Sequence, residues 1–182
     1  MEDLRTPWLD AGYEAFAAEG PAGLKVEALA RKVGKSKSSF YHHFADLDVF
    51  TEALLERHTA RSLEMAEAEG ACPRLVPDLL LLLLDCREDL LFSRQLRIHR
   101  EVPAFRRCFE RTNELAGTAM LDIWAEGIGL RDRKHLAQDM LGLMMENFYA
   151  QLTAETLTYA WLERYVEQVR SVVAGIGAAA RR

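Results

Sequence analysis

The side chains with the most evident chemistry crowd into one short stretch. Between Lys25 and Phe44 stand Lys25, Arg31, Lys32, Lys35 and Lys37 against one acid, Glu27, so this stretch carries +4 while the other 162 residues carry −9. The same stretch holds Ser36, Ser38, Tyr41 and His42. Cationic points and short hydroxyl donors at this density can grip an anionic sugar-phosphate backbone, and the remaining polar groups can reach base edges in a groove. The whole chain is acidic, at −5. A local basic island on an acidic body is nonetheless the footprint of a single element that meets nucleic acid.

The same residues fail the patterns of catalysis. Gly34-Lys35-Ser36 ends like a phosphate-binding loop, but the glycine required five positions earlier is Leu29, and the preceding element reads as a helix. A nucleophile elbow would need glycine at position 38, which is serine. His42 and His43 are neighbours, and neighbours on a helix point ~100° apart, so they cannot share a metal. Cys108 and His99 match a nucleophile pair in type alone; free cysteines ordinarily behave as small buried apolar residues. No catalytic residue, metal site or cofactor is expected, and the chain is read as not an enzyme.

The basic island needs elements to hold it. Leu9, Tyr13, Phe16 and Ala17 have the spacing of a helix buried on one side within Leu4 to Glu19, closed by Gly20-Pro21. Val26, Leu29, Ala30 and Val33 form one face of a short second helix, and Gly34 stops it where a left-handed residue is easiest to place. Ser36 can cap a third helix whose Phe40 and Phe44, four apart, face inward. Two helices meeting at a steep angle need a small residue at their contact and a turn residue tolerant of positive φ, which Ala30 and Gly34 supply. With the phenylalanines inward, Lys37, Ser38, Tyr41 and His42 share the outward face, as in a helix-turn-helix that reads a major groove.

Beyond the island the chain reads as all-α. It has 27 Leu and 25 Ala against 21 Val, Ile and Thr together, and only 11 Gly and 5 Pro in 182 residues. An amphipathic helix from Asp48 to Glu69 leads to Gly70-Ala71-Cys72-Pro73, and five more helices follow, near Pro77 to Leu90, Ser93 to His99, Pro103 to Glu126, Arg133 to Leu152 and Thr156 to Ala174. The expected division is a helix-turn-helix domain over 1-47 and a larger C-terminal domain over 48-182, joined by the helix from about 48 to 69. The leucine run Leu79 to Leu84 is too short to span a bilayer, and residues 1 to 20 lack a basic start followed by an apolar block, so a cytoplasmic protein without a membrane partner is expected. Three cysteines at wide spacing make no disulfide framework. Leu136, Met140 and Leu143 on one helix and Trp161, Tyr165, Val169 and Val172 on the last form apolar stripes, which a four-helix interface between two copies would cover. Arg94, Arg97, Arg100, Arg106, Arg107 and Arg111 outweigh Glu101 and Glu110 and read first as a solvated basic face, with attraction of an anionic effector or contact with the DNA-binding domain as the alternatives.

The block from Gly23 to Leu55, above all Gly34-Lys35-Ser36-Lys37-Ser38-Ser39-Phe40-Tyr41-His42-His43-Phe44, resembles the DNA-binding domain of TetR-family transcriptional regulators. The first helix, Trp8 to Gly20, fits it too. The resemblance implies an all-helical homodimer that binds a palindromic operator in double-stranded DNA. It also implies repression that ends when a small molecule enters the C-terminal domain. Carried over, Lys37, Tyr41 and His42 face DNA, with Tyr41 and His42 on phosphates. Lys35 stands where the family usually has an apolar residue, Lys25 where a capping threonine is common, and Leu47 near a usual phosphate contact, so the clamp is redistributed. Met120, Met144, Trp124 and Phe148 supply adaptable and flat apolar surface for an effector, with Leu83 beside them and Asn147, Thr118 and His99 as polar orienting groups. The alternative from a different class is a helical small-molecule or protein-binding module that has lost DNA binding.

Overall fold

The computed structural model describes residues 4 to 179, with side chains to 175, and contains helices and no strand among those residues. The helices are α1 (Thr6–Glu19), α2 (Val26–Val33), α3 (Lys37–His43), α4 (Leu47–Ala71), α5 (Leu80–Asp85), α6 (Arg87–Ile98), α7 (Pro103–Gly127), α8 (Lys134–Gln151) and α9 (Tyr159–Ala179). No helix of the described residues is long and apolar enough to cross a membrane. The chain divides into two compact units, residues 1–61 with 88–111 and residues 62–87 with 112–182. The division follows packing rather than chain order, since α4 and α7 each contribute to both units.

In the first unit an aromatic core explains the short helices. Trp8, Phe16, Phe40, Phe44 and Phe50 are fully buried. Phe40 lies edge-on to Trp8 at 5.4 Å and to Phe50 at 5.2 Å, so α3, only about two turns long, is held by packing that a helix of its length could not replace by propensity. Gly12 lets α4 approach α1, because a Cβ there would stand 2.3 Å from the Phe50 ring.

A buried polar chain joins α1, α4 and α6 within the same unit. Arg61 grips Asp89 with two hydrogen bonds, Nε to Oδ1 at 2.6 Å and Nη2 to Oδ2 at 2.7 Å. Asp89 is therefore ionised and can only accept, so the Tyr13 hydroxyl donates to it at 2.7 Å. That proton is then spent, and the 2.6 Å contact between Tyr13 and His58 requires His58 Nδ1–H to donate to the tyrosine oxygen. His58 Nε2 is left as an acceptor for the Ser93 hydroxyl at 3.0 Å. Burial lowers the His58 pKa to about 4, so the ring is the neutral Nδ1–H tautomer that this chain of donors demands. For Asp89, burial alone would raise the pKa, but its bonds to Arg61 and Tyr13 outweigh that and hold it below the ordinary value.

In the second unit α5 packs on α9. Trp124 donates its indole N–H to the Ala137 carbonyl at 3.1 Å, and Tyr165 donates to the Met144 carbonyl at 2.7 Å. Gly127 is required where it stands, because a Cβ would lie 2.4 Å from Leu75 Cδ2.

The helix limits differ from the sequence expectation chiefly around the leucine run. Instead of one helix from Pro77 to Leu90, a wide turn over Leu75–Leu79 with extended backbone at Val76 leads into α5, and Cys86 at φ −90°, ψ 24° separates α5 from α6. Residues up to 87 pack in the second unit and those from 88 in the first, so tertiary packing breaks a segment whose local propensity is uniformly helical. The run is also not covered on every side, since Leu79, Leu80 and Leu83 are buried while Leu81 is half exposed.

Candidate nucleic-acid interface

The turn between α2 and α3 is built by a few backbone bonds. Gly34 takes φ 70°, ψ 31°, and its N–H and that of Lys35 return to the carbonyls of Arg31 and Ala30, which closes α2 in a Schellman arrangement. Ser36 then caps α3, its hydroxyl accepting from the Ser39 N–H at 3.2 Å. Asp46 does the same for α4 through the Val49 N–H at 2.9 Å. These caps aim α3 with its phenylalanines into the core and leave the opposite side bare.

That bare side holds the residues expected from the sequence. Lys35, Ser36, Lys37, Ser38, Tyr41 and His42 are all exposed, as is Lys25 at the start of α2. Tyr41 is a large ring 56% open to solvent, held edge-on at 5.4 Å against Phe40. An exposed tyrosine fixed by a buried neighbour is a preorganised donor for a phosphate oxygen. Leu47, beside the expected phosphate contact, opens α4 and is half-buried.

One feature of the face is not legible from the charge count. Lys37 donates to Glu27 at 2.9 Å across the turn, and both are well exposed. Their hydrogen bond raises the Lys37 pKa and lowers that of Glu27. Glu27 is thus a competitor for the lysine that nucleic acid would engage. The signal in the sequence was the lone acid of the island, ten residues before Lys37.

The other expected residues fall as follows. In the second unit Leu83, Met120, Trp124 and Phe148 are buried, Met144 is half-buried, and Thr118 and Asn147 are exposed. Two of the polar groups there are already engaged: Asn147 Oδ1 accepts from Gln151 at 2.6 Å and Tyr165 at 3.3 Å, and the Trp124 N–H is bonded as above. His99 belongs to the first unit, where it packs at Gly20 and lies 3.6 Å from Glu101. The second unit contains a cavity of about 200 Å³ with a different lining, among it Pro73, Leu75, Val76 and Ile123. Of the stripe residues, Leu143 is 70% exposed and Val172 52%, whereas Met140, Tyr165 and Val169 are buried within the chain itself, and Leu136 and Trp161 are half-buried. Trp161, Tyr165 and Phe148 form one aromatic cluster, with centroids 5.4 to 5.7 Å apart. Of the arginine-rich region, Arg106, Arg107 and Arg111 are exposed on the first turns of α7, in the first unit.

Comparison with known proteins agrees with this geometry. Residues 9–54, which span α1 to the first turns of α4, match the family of bacterial regulatory proteins described as tetR. The HTH-type transcriptional repressor AcnR of Corynebacterium diphtheriae is 34% identical over 62 residues, a match covering 34% of this chain and 33% of that repressor. A TetR-like transcriptional regulator from Rhodococcus sp. RHA1 has a similar fold, with a TM-score of 0.61 at 19% identity over 96% of this chain and 95% of that one. A TetR-family regulator from Mesorhizobium loti gives a TM-score of 0.57 at 19% identity over 96% and 98%. Residues 9–54 thus match a TetR-type N-terminal DNA-binding domain, the match to the repressor spans about a third of that protein's length, and over nearly its whole length the chain has a fold similar to that of these TetR-type regulators.

Proposed function

We propose that the protein is a sequence-specific regulator that binds a palindromic operator in double-stranded DNA as a homodimer in the cytoplasm, represses transcription, and releases DNA when a small molecule enters its C-terminal domain. The observation that carries this reading is the outward face of α3. A capped helix of seven residues is fixed by two buried phenylalanines and shows solvent only Lys37, Ser38, Tyr41, His42 and their neighbours. Lys25, Lys35 and Ser36 flank it as further phosphate contacts. A single such helix covers a half-site, and two must lie ~34–36 Å apart along one side of the duplex, which is why a dimer is part of the proposal.

Leu143 and Val172 support the dimer, because each is a large apolar side chain open to solvent in the protomer. The seam proposed for the second copy is centred on these two, with Leu136, Met140, Trp161, Tyr165 and Val169 behind them supporting α8 and α9. The proposed domains remain 1-47 for DNA and 48-182 for effector and dimer. The effector region of the second unit comprises Leu83, Thr118, Met120, Trp124, Met144, Asn147 and Phe148, whose apolar surface suits an organic ligand. The test is enrichment of duplexes from a random pool on the full-length protein. A palindromic consensus bound by dimers supports the reading. Failure to enrich any sequence, with retention that does not depend on salt, supports the module without DNA binding.

A further inference from the structure

Lys37 and Glu27 form an ion pair that lies open on the interface. Lys37 is the first residue of α3, Glu27 is in the first turn of α2, and their head groups meet at 2.9 Å with more than half of each side chain exposed. In a helix-turn-helix the N-terminal residues of the second helix are the ones that reach base edges. A backbone phosphate suits this pair badly, because it would have to take Lys37 from Glu27 and leave a bare carboxylate beside an anionic strand.

A base pair can take the ion pair whole. The ammonium has three donors, of which Glu27 uses one, and the carboxylate only accepts. In the major groove a G·C pair displays guanine N7 and O6 as acceptors and, beside them, the cytosine N4 amino group as a donor. O6 and N4 are bonded to each other across the base pair, so they lie about 2.9 Å apart, a hydrogen-bond length. Lys37 Nζ and Glu27 Oε1 have the same separation. The guanine acceptors can therefore meet the ammonium while the cytosine amino group meets the carboxylate. A reversed pair presents its donor to the lysine. An A·T pair offers one acceptor before its donor instead of two, and sets thymine O4 toward the carboxylate, acceptor against acceptor.

We propose that Glu27 is a base-reading residue that acts together with Lys37, and that the pair selects one G·C base pair, guanine toward Lys37, in each half-site of the operator. Elsewhere on the duplex the same carboxylate repels acceptors and phosphates and holds the lysine back, so Glu27 weakens wrong contacts as well as making a right one. The idea rests on the DNA-binding function proposed above and adds to it the base that the operator must carry.

Fluorescence anisotropy of the full-length protein tests it, with the operator enriched from a random pool and with duplexes in which each base pair of the half-site is replaced in turn, symmetrically in both halves. Wild type should show one G·C position at which every replacement weakens binding at least about fivefold. Glutamine can present a donor as readily as an acceptor. Glu27→Gln should therefore tighten binding to duplexes replaced at that position more than to the operator, lowering the preference there at least about threefold, and should leave the preferences at other positions as in wild type. Lys37→Ala should relax the same position. A half-site without such a G·C pair, a gain in Glu27→Gln that is uniform over all duplexes, or relaxation at different positions by the two variants would each overturn the proposal while operator binding itself stood. Wild type that bound no duplex in preference to another would overturn both readings together.

Discussion

His58 makes the stability of the protein depend on pH in a direction that its position dictates. Burial lowers its folded pKa to about 4, whereas an unfolded histidine titrates near 6.5. A depressed folded pKa means that the unfolded chain binds the extra proton between these values. The contribution is therefore fully present above the unfolded pKa and is lost as pH falls through the window from 6.5 to 4. At ~1.4 kcal/mol per unit the full shift is about 3 kcal/mol, of which about 2 kcal/mol is lost between pH 7.5 and pH 5. The perturbation is His58→Gln, which keeps a donor and an acceptor but cannot titrate. Urea unfolding of both proteins at pH 7.5 and pH 5, at one protein concentration, gives a difference of differences from which every other titrating group cancels. Wild type should lose about 2 kcal/mol more than the variant, an amount visible in the urea midpoint. Proton NMR adds an independent reading, in which the His58 ring should stay neutral down to about pH 5. Equal acid sensitivity of the two proteins, or a His58 resonance titrating near 6.5 in the folded state, would refute the tautomer chain through Tyr13, Asp89 and Ser93.

Glu27→Gln frees Lys37 and removes a negative charge from the α3 face, so operator affinity measured by fluorescence anisotropy should rise and Lys37→Ala should cost more in that background than in wild type. Leu143→Asp places its charge on an exposed position, so the protein should stay folded and sediment as a monomer, whereas Val169→Asp buries a charge within the protomer and should lower thermal stability outright. Gly34→Ala meets no atom within 4 Å but must hold φ 70°, so it should cost about 1–2 kcal/mol in urea unfolding, with loss of DNA affinity only where the turn itself shifts.

The N-terminal region was readable because its determinants are local. Gly34 at the end of α2, Ser36 before α3 and the Phe40–Phe44 pair each act within a few residues, and all three behave as their types require. The partition of the chain was less legible. Nothing near Cys86 is a helix breaker, and the separation of α5 from α6 comes from the two units in which they pack. The polar chain from Tyr13 through His58 to Asp89 joins residues up to 76 apart, a pairing that periodicity cannot reveal. In the second unit the apolar stripes were visible, but whether Leu143 or Met140 faces solvent depends on which neighbours claim the helix.

The salt dependence of operator affinity reports whether the exposed face of α3 meets the phosphate backbone. For the duplex enriched from a random pool, log Kd should change linearly with log salt, with a slope of about 0.9 per phosphate neutralised. Tyr41→Ala should weaken binding to specific and random duplexes to a similar degree. Lys37→Ala should at least in part relax specificity at one base pair, at a cost of about 1–3 kcal/mol. A slope near zero for wild type, or a folded Tyr41→Ala protein that binds its operator as tightly as wild type, would contradict it.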